Sequence, residues 1–239
     1  MRTGPPDIVV TIDVDGFLEP ALDLAVDLAL EQQTGLHGLF IEDLDLVHVA
    51  NLPFTHEISL IGARPRPLDY QRLLRSVNAS SHRFRQSLAQ HAERVSVSWR
   101  YSHVRGRKHR MEFEGAEAEF LIIGQPVDSR EQKAESKTIL LLGNHNPHLY
   151  QAVGTVLGKL LDQTVEVFLI SASDQAEPRL ANQLLAYPNT RLTRMSRDDL
   201  LNKLNLRSRV FDYVIAERND SILLQQILPV AKCPVIVVS

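Results

Sequence analysis

The sequence predicts an α/β fold: two tandem Rossmann-like parallel-sheet sandwiches, the first lacking its last helix and strand. Three observations predict it. Short apolar runs such as Ile8 to Ile12 and Thr138 to Leu142 are continuous, as in strands buried on both faces of a parallel sheet. Segments of helical period separate them. The strand, turn, helix, strand pattern restarts near residue 138, so the 239 residues read as an internal repeat of about 120. The predicted units are 1–124 and 138–239, joined by a linker over 125–137.

Each element follows from local chemistry. After Ile8 to Ile12, Asp13 to Glu19 is a polar turn. Pro20 opens a helix to about Gln33, in the first turn where its missing N–H costs little. Leu22, Ala25, Val26 and Ala29 face inward, and Asp23, Asp27 and Glu31 form an acidic stripe outside. Gly35 ends the helix, and Leu36 to Ile41 is the second strand of a β-α-β unit with a right-handed crossover. From Glu42 to Pro67 the chain is irregular, because Pro53, Pro65 and Pro67 break any helix. A long helix runs from about Leu68 to Arg94, with Leu74, Val77, Ser81, Phe84, Leu88 and Ala92 buried. Val95 to Val104 alternates as a third strand, Arg107 to Ala118 is a short helix, and Phe120 to Ile123 is a fourth strand. Gln125 to Lys137 has no apolar period and reads as linker.

The second unit repeats this order. Its strands are Thr138 to Leu142, Val165 to Ile170, Arg191 to Met195, Tyr213 to Ala216 and Val235 to Val238. Its helices lie near His148 to Leu161, Leu180 to Ala186, Asp198 to Leu204 and Ser221 to Val230. Superposing Ile8 to Ile12 on Ile139 to Gly143 places Asp13 on Asn144. The linker is too short to give the first unit a last helix and strand.

Composition is that of a globular chain, 44% hydrophobic and 23% charged. The net charge of -3 conceals polarity. Asp7 to Ala63 holds eleven acids and no Lys or Arg, whereas Arg64 to Arg110 holds twelve Lys or Arg against Asp69 and Glu93. The expected location is cytoplasmic. No signal-peptide core opens the chain, and no apolar run approaches the roughly 18 residues of a bilayer span. The single Cys233 cannot close an internal disulfide and reads as a buried structural thiol. No membrane partner is expected. No nucleic-acid partner is expected either, since the basic residues are not interleaved with aromatics.

Several segments together resemble the universal stress protein family. They are the apolar strand ending in Asp13, Leu36-His-Gly-Leu-Phe-Ile-Glu42, Val104-Arg105-Gly106, Phe120-Leu-Ile-Ile-Gly124 and the closing Ala231-Lys-Cys-Pro-Val-Ile-Val-Val238. The resemblance spans nearly the whole chain as two copies. It implies an adenine nucleotide alpha hydrolase-like fold and a non-catalytic stress-response or regulatory role. ATP-binding members carry a glycine loop after the fourth strand, where backbone N–H groups approach phosphates. Here Gly124 is followed by Gln-Pro-Val-Asp-Ser-Arg-Glu-Gln-Lys and Ala216 by Glu217-Arg-Asn-Asp-Ser221, with no further glycine in either place. The loop is therefore expected to be lost. Glu217 and Asp220 would repel phosphate in the second copy. No cofactor is expected, except ATP or AMP in the first copy on the alternative reading. The nucleotide- or anion-binding candidates are Asp13, Asp15, Arg105, Gly106, Arg107 and Gly124. Family members often associate through the last strand, which implies a homodimer through the C-terminal strand.

Asp13-Val-Asp15-Gly-Phe-Leu18 after a strand also resembles the first motif of Mg²⁺-dependent haloacid-dehalogenase-type phosphatases, with Asp13 as nucleophile and Asp15 as acid/base. Ser171 or Ser173 would be the second element, but Asp198-Asp199 precedes a helix and reads as an N-terminal stabiliser. His145 and His148, with Asn144, could touch a metal, but a polar helix-capping turn explains them better. The basic run Arg105, Arg107, Lys108, His109 and Arg110 would hold an anionic ligand, face an acidic protein partner, or neutralise the acidic stripe of the first helix.

Overall fold

The structure, a computed structural model, describes residues 8–14, 19–58, 65–106, 118–125, 136–143, 146–170, 178–205 and 211–239. The first half contains β1 (Ile8–Ile12), α1 (Glu19–Gln32), β2 (Leu36–Asp43), α2 (Leu44–Ala50), β3 (His56–Ile58), β4 (Pro65–Pro67), α3 (Tyr70–Arg94), β5 (Trp99–Gly106) and β6 (Phe120–Ile123). The second contains β7 (Ser136–Leu142), α4 (Pro147–Lys159), β8 (Thr164–Ile170), α5 (Pro178–Leu185), β9 (Thr190–Arg194), α6 (Arg197–Asn205), β10 (Tyr213–Glu217), a 3₁₀ turn (Arg218–Asp220), α7 (Ser221–Ile227) and β11 (Val235–Val238). The short helix expected over Arg107 to Ala118 and most of the linker fall outside the described residues.

Among the described residues, nine strands form one sheet in the order β5-β2-β1-β6-β11-β10-β7-β8-β9. All neighbours run parallel except β6 and β11. Taken inward from either end, β5-β2-β1-β6 and β9-β8-β7-β10 are each the third, second, first and fourth strands that their half gives to this sheet. The burial pattern explains who sits where. β1 (Ile-Val-Val-Thr-Ile), β6 and β11 are buried at every position and lie inside the sheet. β5 and β9 carry exposed residues at intervals along their length and form the two edges.

Two apolar layers cover the sheet. On one face α1, α3, α4 and α5 pack against Ile8, Val10, Ile12, Ile139, Leu141 and Ile236. On the other, α6 and α7 pack through Leu200, Leu223, Leu224 and Ile227 against Leu140, Leu142, Val235 and Val237. α3 begins where the Asp69 carboxylate accepts from the N–H groups of Gln71 (2.8 Å) and Arg72 (3.3 Å). Its Val77, Phe84, Leu88 and Ala92 are buried, and Leu74 and Ser81 are half-buried. The helix lies so close to β2 that a Cβ on Gly38 would stand 2.5 Å from Leu88 Cδ2.

Three expectations are corrected. The segment around Pro53, Pro65 and Pro67 is not wholly irregular. It folds as α2 and the two-stranded ribbon β3–β4, and in so small a ribbon every strand is an edge, where proline is tolerated. The acidic stripe of α1 does not await the basic run. Asp27 pairs with Lys159 of α4, Asp23 faces His91 of α3 (3.4 Å), and Glu31 accepts from Thr155 Oγ1 (2.5 Å). The stripe is thus a seam between α1 and its neighbours on the same face. The last correction concerns β11. It pairs in parallel with β10 (Ile215↔Ile236) and antiparallel with β6 (Ile122↔Ile236), so both its edges are used within the chain. A homodimer through the C-terminal strand has no free edge to pair with.

Candidate functional site

In open parallel sheets, ligands bind beyond the carboxyl ends of the strands, where the strand order reverses. This sheet has two such points, between β1 and β6 and between β7 and β10.

The first brings Asp13 and Gly124 together. Thr11 pairs with Ile123, and the Gly124 N–H donates to the Thr11 carbonyl at 2.9 Å. Asp13 is half-buried one residue past β1 and already has a partner. Next to it are two groups that sequence reading missed. The Thr11 hydroxyl and the Gln125 side-chain amide sit on residues only 1% and 4% exposed. Thr11 Oγ1 and Gln125 Nε2 are both buried without a hydrogen-bond partner. Burying a polar group unpaired costs about 1–3 kcal/mol, so Thr11 on β1 and Gln125 just past β6 are the candidate contacts for a polar guest at this reversal point. A Thr near the end of an apolar strand and a Gln after Gly124 were visible in the sequence, but their burial was not.

Arg105 and Gly106 lie farther off. β2 separates their strand from β1, which is about 9–10 Å at ordinary strand spacing. Arg105 is also occupied: its Nε donates to Glu42 Oε2 at 2.9 Å, and His103 Nε2 reaches the same oxygen at 3.2 Å. The hydrogen bond to Glu42, with the charge of that carboxylate, raises the Arg105 pKa. Glu42, 4% exposed, is an ion-pair centre that the sequence left as part of a motif. Register puts it there, since Glu42 lies opposite Arg105. Asp15 and Arg107 lie outside the described residues.

At the second reversal point the Glu217 side chain stands against the end of β7. Gly143 ends β7 with φ +104°, and its Cα side is packed against the Glu217 side chain, 2.5 Å from a virtual Cβ to Glu217 Cδ. Glu217 Oε1 accepts from the Asn146 N–H at 3.0 Å. Asn146 caps α4, accepting from the His148 N–H at 2.8 Å, and Pro147 follows in the first turn. A carboxylate of the chain therefore sits at the positive end of a helix, where an anionic ligand would otherwise bind. His148 stacks edge-on to Phe120 (5.3 Å between ring centres) and meets Gln151 Oε1 at 3.1 Å. Asn144 and His145, the other metal candidates, fall outside the described residues, as do Ser171 and Ser173. Among the described residues no three His, Cys, Asp or Glu converge on a metal-sized site.

Asp198 and Asp199 open α6, next to the edge strand β9 and far across the sheet from β1. Asp199 Oδ2 accepts from Ser196 Oγ at 2.6 Å, and Ser196 Oγ accepts from the Asp199 N–H at 3.1 Å, a reciprocal helix cap. Cys233 is 2% exposed in the layer under α7.

Beside Glu217, burial pushes the Asp220 carboxyl up; Arg197 at 3.6 Å opposes this, and the charge of Glu217 adds to it. A carboxyl whose folded pKa is raised gives its full stability below the ordinary carboxylate range. It loses that stability as pH rises through the folded pKa. At neutral pH the Asp220 charge is therefore a penalty. Asp220→Asn is expected to raise Tm by roughly 1–2 °C at pH 7. The gain should vanish in melts below the ordinary carboxylate range, and equal Tm at both pH values would refute it.

No family model matches the chain, and no curated protein matches it. Among solved structures, MurG of Acinetobacter baumannii aligns over 93% of this chain and 74% of its own, at 16% identity and a TM-score of 0.29. That score is too low for a shared fold to be drawn from it. The observed class is mixed α/β with a large, mostly parallel central sheet. Among the described residues no helix is long and apolar enough to cross a membrane.

Proposed function

We propose that the chain is a tandem protein of the universal stress protein type, acting as a non-catalytic regulatory module in the cytoplasm. Two copies are supported by the strand order, which is the same from either end of the sheet. The observation that carries the functional reading is the contrast between the two reversal points. One is closed by the carboxylate of Glu217, and the other holds Thr11 Oγ1 and Gln125 Nε2 buried and unpaired beside Asp13. One half is scaffold and the other half senses.

The same two groups favour a second reading, adenine nucleotide binding in the first half alone. A base edge or ribose hydroxyl offers the donors and acceptors that Gln125 and Thr11 lack. Without a glycine loop, phosphates contribute little, so AMP and ATP should bind about equally and weakly. Calorimetric titration of the wild type and of Gln125→Leu with both nucleotides tests this. Heat from the wild type that is lost in Gln125→Leu supports it. No heat up to millimolar ligand sinks the nucleotide reading and leaves the regulatory one to stand on a different guest.

A further inference from the structure

The strongest surface feature outside both crevices joins α3 to the loop before β3. Five arginines of α3 are exposed: Arg72, Arg75, Arg83, Arg85 and Arg94. The only acid in the helix is Glu93. Arg72, Arg83 and Arg94 recur every eleven residues, which is about 16.5 Å per step with a drift of only about 20°. They form a straight row along the outer face. Arg75 Nε donates to the Gln71 carbonyl and Arg83 Nη2 donates to Ser80 Oγ. Among the described residues, no carboxylate stands within ion-pair distance of Arg75, Arg83 or Arg94, while Arg72 has Glu57 at 3.9 Å. Beyond Arg72 the row carries charge with no carboxylate partner among the described residues.

At the N-terminal end of that row the chain exposes apolar side chains. Phe54 is 93% exposed, Ile58 68%, Leu52 59% and Val49 44%. The loop has a set shape: Thr55 Oγ1 donates to the carbonyls of Val49 and Leu52, each at 3.0 Å. The Thr55 carbonyl accepts from the Leu68 N–H just before α3. Phe54 has φ +68°, a conformation a bulky residue rarely holds without a reason. A protruding aromatic held out by its own turn, continuous with a basic row, is the pattern of a peripheral membrane contact.

We propose that this face docks on an anionic lipid surface, Phe54, Leu52 and Ile58 entering the headgroup boundary while the α3 arginines meet lipid phosphates. The expectation of no membrane partner rested on the lack of a spanning stretch, and a peripheral contact needs none. A nucleic acid fits less well, because Phe54 lies beyond the end of the row rather than between its arginines. An acidic protein would pair the α3 arginines but gives no reason for four exposed apolar side chains at the end of their row, which a lipid surface accommodates.

The full chain is sedimented with vesicles of phosphatidylcholine alone and of phosphatidylcholine mixed equally with phosphatidylglycerol. Binding is expected only to the mixed vesicles, weakening as salt is raised. Reversing the row (Arg72→Glu, Arg83→Glu, Arg94→Glu) should lower affinity at least roughly a hundredfold, at about fivefold or more per arginine lost. Phe54→Ser should lower it about tenfold. All four positions are exposed, and circular dichroism verifies that the variants stay folded. Failure of the wild type to sediment with mixed vesicles overturns the proposal, as does unchanged binding of the charge-reversed variant. Retention of the wild type on single-stranded RNA or polyglutamate, without vesicle binding, overturns it in favour of that partner.

Discussion

Ile236→Asp is expected to leave no cooperatively folded protein. Ile236 is fully buried at the middle of β11 and touches the layer shared by α1, α3, α4 and α5. Losing its buried apolar surface costs about 2–3 kcal/mol. Placing an unpaired carboxylate there costs several kcal/mol more. Domains are stable by only about 5–15 kcal/mol, so this one change approaches the whole margin. Position makes it worse. β11 is the sole strand joining β6 to β10, so its loss divides the sheet at its centre. The control is Ile222→Asp in α7, whose side chain is 74% exposed and should shift Tm very little. Thermal melts followed by circular dichroism make the comparison. A cooperative transition for Ile236→Asp within a few degrees of the wild type would mean that β11 does not lie between β6 and β10.

That prediction also separates what the sequence could tell from what it could not. The closing run of Val235 to Val238 announced a strand buried on both faces, and it is one. Hydrophobic periodicity reports which faces of an element are covered. It does not report which strand lies alongside. The pairing of β11 with β6 joins residues more than a hundred positions apart, and only the closed topology decides it. The same limit hid Glu42. Its position at the end of an apolar run was plain, but the Arg105 guanidinium on it comes from β5 through register. The α1 acids were seen as an outward stripe because their partners, Lys159 and Thr155, belong to the other half of the chain. Where local chemistry decides, the signal lies in the residues themselves. Asp69 before the long helix and Asn146-Pro147 before α4 carry the cap residues their helices need.

Gly143→Val is expected to destabilise the protein by about 3 kcal/mol, lowering Tm by roughly 6–12 °C. Two costs combine. Gly143 holds φ +104°, which a β-branched residue adopts only with strain of about 2 kcal/mol. The new side chain also enters space already taken, since a Cβ at this position would stand 2.5 Å from Glu217 Cδ and 2.7 Å from its Oε1. Glu217 must then move off the Asn146 N–H, and α4 loses the carboxylate at its start, worth about 1 kcal/mol. The second cost exists only while Glu217 is present. Glu217→Ala alone should therefore cost about 1 kcal/mol, and in that background Gly143→Val should cost only the backbone strain, about 2 kcal/mol. Urea melts of the four proteins measure the difference. Strict additivity would show that the carboxylate does not stand against Gly143, and the account of a second crevice closed by its own side chain would fail with it. A coupling of about 1 kcal/mol would locate Glu217 in solution against Gly143 at the start of α4.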